Sequence, residues 1–329
     1  MANVLRAAVL AALAALILAL PFLVGAARLG FAVEIADMLA LATLWNLLAG
    51  YAGIVSIGQQ AYVGAGAYAV FAAVILAGVP PLAALPIAAA VCLLLALPVA
   101  FLLFRLRGPY FAIGSWVVAE VFRLAVAQSN ALGNGSGKTL PLAAVRGIAP
   151  DRAGRQLILY AVAVALAVAA TLLAWAVLRA RAGLALTAVR DNETAAASLG
   201  VDVRRLKLLV YLGVAAMTGM VGGVIFIQNL RVSPDAAFSV LDWTADVIFI
   251  VVIGGIGTLE GPAAGTAVFF AFRAAFADYG AWYLIALGLV AIAVMLTAPA
   301  GLCGVLARRG VVLLPTARRF RRVSARPDA

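Results

Sequence analysis

The sequence predicts an all-α, polytopic transmembrane helix bundle of about ten spans. Three observations carry that prediction. Of 329 residues, 66% are apolar and only 11% charged, less than half the roughly 25% of a soluble domain. Mean hydropathy is +1.14. Apolar runs close to the roughly 20 residues of a spanning helix recur along the chain. Ten spans would use about 200 residues, which leaves room for loops and a tail but for no large soluble domain.

In chain order, the first run is Val4 to Ala26, interrupted only by Arg6. It resembles a signal peptide, but it is long and another span follows within a few residues, so it reads as a retained first helix. The later runs are 31–50, 61–78, 82–104, 108–127, 156–178, 207–230, 243–257, 261–278 and 281–298. Two are expected to be broken or re-entrant. The run 243–257 ends in Gly254, Gly255 and Gly257, and 61–78 follows Gly50, Gly53 and Gly58. Irregular backbone survives at membrane depth only where protein or a watery cavity covers it. Residues 1–307 then form one transmembrane domain, and 308–329 a basic tail.

Arginine and lysine placement orients the chain. The stretch 179–207 holds Arg179, Arg181, Arg190, Arg204, Arg205 and Lys207, and the tail is equally basic. Both are expected in the cytoplasm, with an even number of runs between them. Counting back places the N-terminus inside as well. The loop 128–155 falls outside despite Lys138, Arg146, Arg152 and Arg155, and long loops weigh less on topology. One miscounted re-entrant pair would preserve parity, so eight spans also satisfy the pattern.

Composition excludes other classes. There is no histidine, so neither a histidine proton relay nor an imidazole metal site is available. Cys92 and Cys303 are far apart without ligand partners and read as inert thiols. A formal charge of +11 would suggest nucleic acid in a soluble protein, but here the basic residues lie between apolar runs and report topology. Residues 133–139, Gly-Asn-Gly-Ser-Gly-Lys-Thr, look like a phosphate-binding loop, yet the required first glycine is Leu132. The strand before and helix after that such a loop needs are also missing. It reads as an external turn.

Residues 190–200 carry more information. Asp191 or Asn192 can cap a helix with Glu193 in its first turn. Ala195, Ala196, Ala197 and Leu199 give it a small apolar face, and Gly200 ends it as a C′ glycine would. Such a helix is too short to span. It suits insertion into a partner's groove, with Ala196 expected to face that groove, or it is an ordinary capped loop helix. Upstream, Asn46, Ser56, Gln59, Gln60 and Tyr62 are uncharged hydrogen-bonding residues among glycines. They either line a path for a small polar solute or hold helices together. Glu120 and Arg123, three apart on one face, read as a structural pair near the outer surface. Asp37, Asp242, Asp246, Arg273 and Asp278 gather near outer ends of runs.

Four blocks together resemble ABC-importer permeases of the branched-chain amino acid class, LivM type. They are the 183–210 segment, Leu106-Arg107-Gly108-Pro109-Tyr110-Phe111-Ala112, the early glycine-rich block Trp45 to Tyr68, and the late block Ser233 to Pro262. The chain departs at Gln59-Gln60, where the family more often has Gly-His or Gly-Gln. The resemblance implies a subunit of the bacterial inner membrane that carries branched-chain or related small amino acids by alternating access; the charge pattern above puts both termini in the cytoplasm. Relatives carry urea, short amides or sugars. It implies a second related permease, two cytoplasmic ATPase subunits and an external substrate-binding protein as partners. ATP-Mg would be bound by those ATPases, and this chain would hold no cofactor and perform no catalysis. Arg190, Asn192, Glu193, Ala196 and Gly200 would then couple to an ATPase. Two other classes compete. An ion-coupled transporter would want ionisable groups near the midplane, whereas most charges here lie at run ends. A membrane enzyme would want a nucleophile, a metal or an acid–base set.

Overall fold

A computed structural model describes residues 19, 21, 25–276, 281–298 and 301–308. Most of the expected first helix over 4–26, Asp278 and the tail from Arg309 onward lie outside them. Among the described residues the fold is an all-α bundle, and eight helical stretches are long and apolar enough to cross a membrane. The helices are α1 Ala26–Asn46, α2 Gln59–Ala77, α3 Leu85–Leu103, α4 Pro109–Ala127, α5 Leu142–Ile148, α6 Arg152–Arg179, α7 Arg181–Asp191, α8 Glu193–Ser198, α9 Val203–Asn229, α10 Pro234–Ala237, α11 Asp246–Gly254, α12 Gly261–Phe276, α13 Ala281–Thr297 and α14 Gly301–Arg308. The run expected over 261–278 is α12, with 16 residues. It is shorter than the eight.

Helices α1, α2 and α9 make the centre. Their most apolar windows are 78%, 72% and 61% buried, against 17% for α4. Glycine makes this packing close. A methyl group at Gly66 of α2 would come within 2.1 Å of the Gly219 carbonyl oxygen of α9. Lipid offers helices no hydrophobic reason to associate, so backbone approach of this kind supplies the contact energy. Helices α3 and α4 sit outside this centre and expose Leu94, Phe101, Tyr110 and Trp116, the composition lipid or another apolar surface accepts.

Both expected breaks are present. Helix α1 runs into a π-helical turn, Leu47–Tyr51, and irregular chain follows to Gly58 before α2 starts. That start lies well inside the bundle, because Gln59 Nε2 donates to the Leu41 carbonyl at 3.0 Å. Leu41 is ten residues before Tyr51, or about 15 Å at 1.5 Å per residue. The second break is another π-helical turn, Leu241–Ala245, feeding the nine-residue α11. Gly255 ends α11 with φ 124°, a conformation only glycine adopts readily. The Thr244 hydroxyl bonds Gln60 Oε1, so the two interrupted segments meet at the start of α2.

At one end of the bundle, Lys138–Thr139 and Arg231–Val232 form a two-stranded antiparallel ribbon. The glycine loop before it has positive φ at Gly133, Asn134, Gly135 and Gly137. A two-residue strand follows, not a helix, so the geometry of a phosphate-binding loop is absent. Arg123 of α4 pairs with Glu120 at 2.6 Å and with Asp235 of α10 at 2.7 Å. The opposite end carries α7 and α8. Sequence reasoning anticipates only the second of these. Helix α7 buries Gly183, Leu186 and Val189, a three-residue spacing that marks one helical face.

Candidate functional site: a coupling segment and a buried polar crevice

The segment Arg190–Gly200 folds as its sequence dictates. Asn192 caps α8, its side-chain oxygen accepting from Ala195 N at 3.0 Å, and Glu193 occupies the first turn. At the far end Gly200 N donates to the Ala197 carbonyl at 2.9 Å and Val201 N to the Ala196 carbonyl at 3.2 Å. This double closure is a Schellman motif and places Gly200 at C′, with φ 86°. Glu193 also pairs with Lys207 of α9 at 2.6 Å, which ties the short helix to a long one.

The side chains point otherwise than expected at one position. Ala196 is 2% exposed and packs into its own chain, so it does not present itself to a groove. The outward face is made by Thr194, Ala195, Ala197 and Leu199, with Leu199 85% exposed. In a run of three alanines, no residue type distinguishes the inward one. The pairing of α8 with its own chain selects Ala196.

Arg190 also turns inward. Its Nη1 donates to the Gly50 carbonyl at 2.9 Å, and its Nη2 pairs with Asp191 at 2.9 Å. Gly50 belongs to the π-helical turn that ends α1. A methyl group there would come within 2.5 Å of Gly257 N, so α1 meets the end of the second broken segment backbone to backbone. Asn46 closes the junction: its Oδ1 accepts from Gly257 N and its Nδ2 donates to the Thr258 carbonyl, both at 2.8 Å. Asn46 therefore serves as a clamp between the broken segments.

The other four polar residues gather deeper. Ser56, Gln59 and Tyr62 line a crevice together with Leu48, Tyr211, Val214, Ala215 and Thr218, and its volume is about 10 Å³, room for roughly one water. The Tyr62 hydroxyl donates to that of Tyr211 at 2.9 Å. Ser56 Oγ accepts from Gly58 N at 3.1 Å, and its carbonyl accepts from Trp45 Nε1 at 2.8 Å. Gln59 Oε1, Gln60 Nε2 and Thr218 Oγ1 are buried without a hydrogen-bond partner. Gln60 faces Thr244 and is not among the residues lining the crevice. Buried polar atoms normally find partners, so these orphans mark a place where something else supplies the bond.

Sequence reasoning did not single out Tyr211, Thr218 or Thr244. A signal for the first two was available. Tyr211 and Thr218 are seven apart inside an apolar run, which puts both on one face of α9. The acidic residues near the ribbon end are partly paired: Glu34 accepts from Arg273 Nη1 at 2.5 Å, while Asp37 is buried with one oxygen unpartnered. The crevice and the coupling segment share one element. Leu48 of the π-helical turn lines the first, and Gly50 of the same turn receives Arg190 of the second.

The family described as "Branched-chain amino acid transport system / permease component" matches residues 27–299. The high-affinity branched-chain amino acid transport system permease protein LivM of Escherichia coli (strain K12) is 26% identical over 315 aligned residues, covering 89% of this chain and 74% of that protein. The protein of the same description from Salmonella typhimurium (strain LT2) is 25% identical over the same shares. No solved structure matches the chain.

Proposed function

Because the chain belongs to the family of branched-chain amino acid transport system permease components, we propose that it is the membrane-spanning half of an ABC importer for branched-chain or related small amino acids. It would work beside a second related permease, two cytoplasmic ATPase subunits that bind ATP-Mg, and an external substrate-binding protein. The membrane is a bacterial inner membrane, with α7, α8 and both termini on the cytoplasmic side and the β ribbon outside. Arg190, Asn192, Glu193 and Gly200 act in coupling, and Leu199 with its neighbours forms the docking face. Ala196 acts as an internal anchor.

The observation that carries this reading is the shared π-helical turn. An ATPase that moves α8 pulls Arg190, and Arg190 holds the Gly50 carbonyl. Gly50 is two residues from Leu48, which lines the crevice. The crevice has room for about one water, too little for an amino acid, so passage requires its lining to part. Alternating access then follows from one rigid connection rather than from a chain of side chains across the bundle. The polar lining lacks any ionisable carboxylate or ammonium group, which favours an ATP-driven over an ion-coupled cycle, since coupling ions want charged ligands at depth.

Reconstitution of the chain with its co-purifying subunits tests the reading. Leucine uptake is expected to require ATP enclosed with the ATPase subunits and binding protein on the other side. Uptake that follows a sodium or proton gradient without ATP would contradict it, and ATP-driven uptake of urea or ribose in place of leucine would contradict the cargo.

A further inference from the structure

We propose that the crevice at the start of α2, once its lining parts, seats the zwitterionic head of the cargo, its carboxylate toward the α2 N-terminus and its ammonium toward Gln59 Oε1. The inference rests on the amino acid reading above.

Helix α2 begins inside the bundle, with Gln59 and Gln60 buried and Gln59 bonded to the Leu41 carbonyl of α1. Its first turn has no side-chain cap and no acidic residue. The leading amides of a helix lack intrahelical acceptors, and the macrodipole places about half a positive charge there. Asp151 caps α6, Asn192 caps α8 and Asp202 caps α9, whereas α1, α3 and α4, like α2, start with neither a side-chain cap nor an acidic residue; what sets the α2 start apart is the buried crevice beside it. The α2 end is 19 residues of helix dipole with no anion facing it from its own first turn.

Two further observations point to a ligand there. Gln59 is 5% exposed and Thr218 1% exposed, both line the crevice, and Gln59 Oε1 and Thr218 Oγ1 have no partner. The orphans also differ in kind. Gln59 Oε1 only accepts, so it calls for an N–H or O–H donor. Thr218 can donate, and so can Tyr211, whose hydroxyl accepts from Tyr62 at 2.9 Å and keeps its own proton. One acceptor beside two donors and a helix N-terminus matches ammonium beside carboxylate. Urea and sugars present no anion to such an end. Leu48, Val214 and Ala215 on the same wall suit an aliphatic side chain. No arginine or lysine lines the crevice, so the carboxylate is held by neutral donors, and a cargo bound without an ion pair is released more readily.

The test is ATP-driven leucine uptake in proteoliposomes holding the assembled transporter, with saturating binding protein. Thr218→Val and Tyr211→Phe keep shape and remove one donor each. Each is expected to slow uptake about ten-fold, as loss of a hydrogen bond to a charged group does. Thr218→Ser, which keeps the hydroxyl, is expected to restore most of the rate. The amount of assembled complex recovered at each position controls for folding. Wild-type leucine uptake with both variants at the wild-type rate would overturn the head-group site and leave the amino acid reading standing. A slow Thr218→Ser would also overturn it, since packing and not the hydroxyl would then decide the rate. A wild-type complex that moves no leucine would overturn the amino acid reading, and the head-group assignment with it.

Discussion

At the end of the bundle that carries α8, the two broken helical segments meet backbone to backbone; at the ribbon end, helices α4 and α10 meet through charged side chains. Gly50 and Gly254 leave no room for a methyl group, one at Gly257 would crowd the Gly50 carbonyl at 3.1 Å, and Asn46 stitches the gap with two 2.8 Å bonds. Across the bundle, Arg123 gathers Glu120 and Asp235, and Asp235 is 85% exposed. Partly exposed ion pairs are worth about 0–1 kcal/mol, whereas a close backbone junction has no substitute. The contrast suggests a division of labour. Under the proposed function, the α8 end is the one that would transmit movement and so would need the stiffer junction.

Substitutions can break that comparison. The largest effect is expected at Gly50→Ala, because its methyl group meets Gly257 N at 2.5 Å and Asn46 Oδ1 at 2.4 Å. Overpacking of this kind costs about 1–3 kcal/mol or more. A lowered thermal midpoint in detergent is the expected reading, and a midpoint equal to wild type would refute the rigid junction.

Next come two changes on α8 that leave the bundle alone. Leu199→Arg places a charge on the exposed face, and Gly200→Val forces a branched side chain into φ 86°, at about 1 kcal/mol or more. Nothing lies within 4 Å of a methyl group at Gly200, so the cost is local. Both should insert normally and fail to retain the ATPase subunits on pull-down. Full retention by Leu199→Arg would remove α8 as the docking element. Ala196→Arg, by contrast, is expected to disorder α8 itself, visible as new protease cleavage near Asn192.

Arg123→Ala should cost no more than about 1 kcal/mol, measured as the same thermal midpoint. A loss as large as that of Gly50→Ala would erase the distinction between the two ends. Smallest of all, Lys138→Ala should leave nucleotide use untouched, since its loop lacks the phosphate-binding geometry. Loss of nucleotide binding by this chain, read by labelled ATP, would contradict that.

Much of this arrangement was legible in the residues, for physical reasons. Apolar runs of spanning length expose helices directly, and Gly254-Gly255 and Gly257 announce a broken segment because few other residues tolerate such backbone. Asn192 and Gly200 bracket α8 through capping rules that act within a few residues. Facing was harder to read. Three consecutive alanines do not reveal that Ala196 points inward, and α7 went unnoticed because its buried face is as short as Gly183, Leu186 and Val189. The crevice was half legible. Ser56, Gln59 and Tyr62 stand out as polar residues among glycines, but Tyr211 lies 149 positions from Tyr62, and only tertiary packing joins them. Asn46 was readable as a polar residue within an apolar run, though not as a clamp, because its partners are 211 and 212 positions away.

The link from Arg190 to the Gly50 carbonyl is the centre of the account, and Arg190→Ala tests it most directly. In the reconstituted complex, ATPase subunits should remain bound and hydrolysis should persist, because the outward face of α8 is intact. Leucine uptake per ATP hydrolysed should fall about ten-fold or more, as expected when a hydrogen bond to a charged group is lost. An unchanged ratio of uptake to hydrolysis would show that movement of α8 reaches the crevice by another route, and the shared π-helical turn would lose its role.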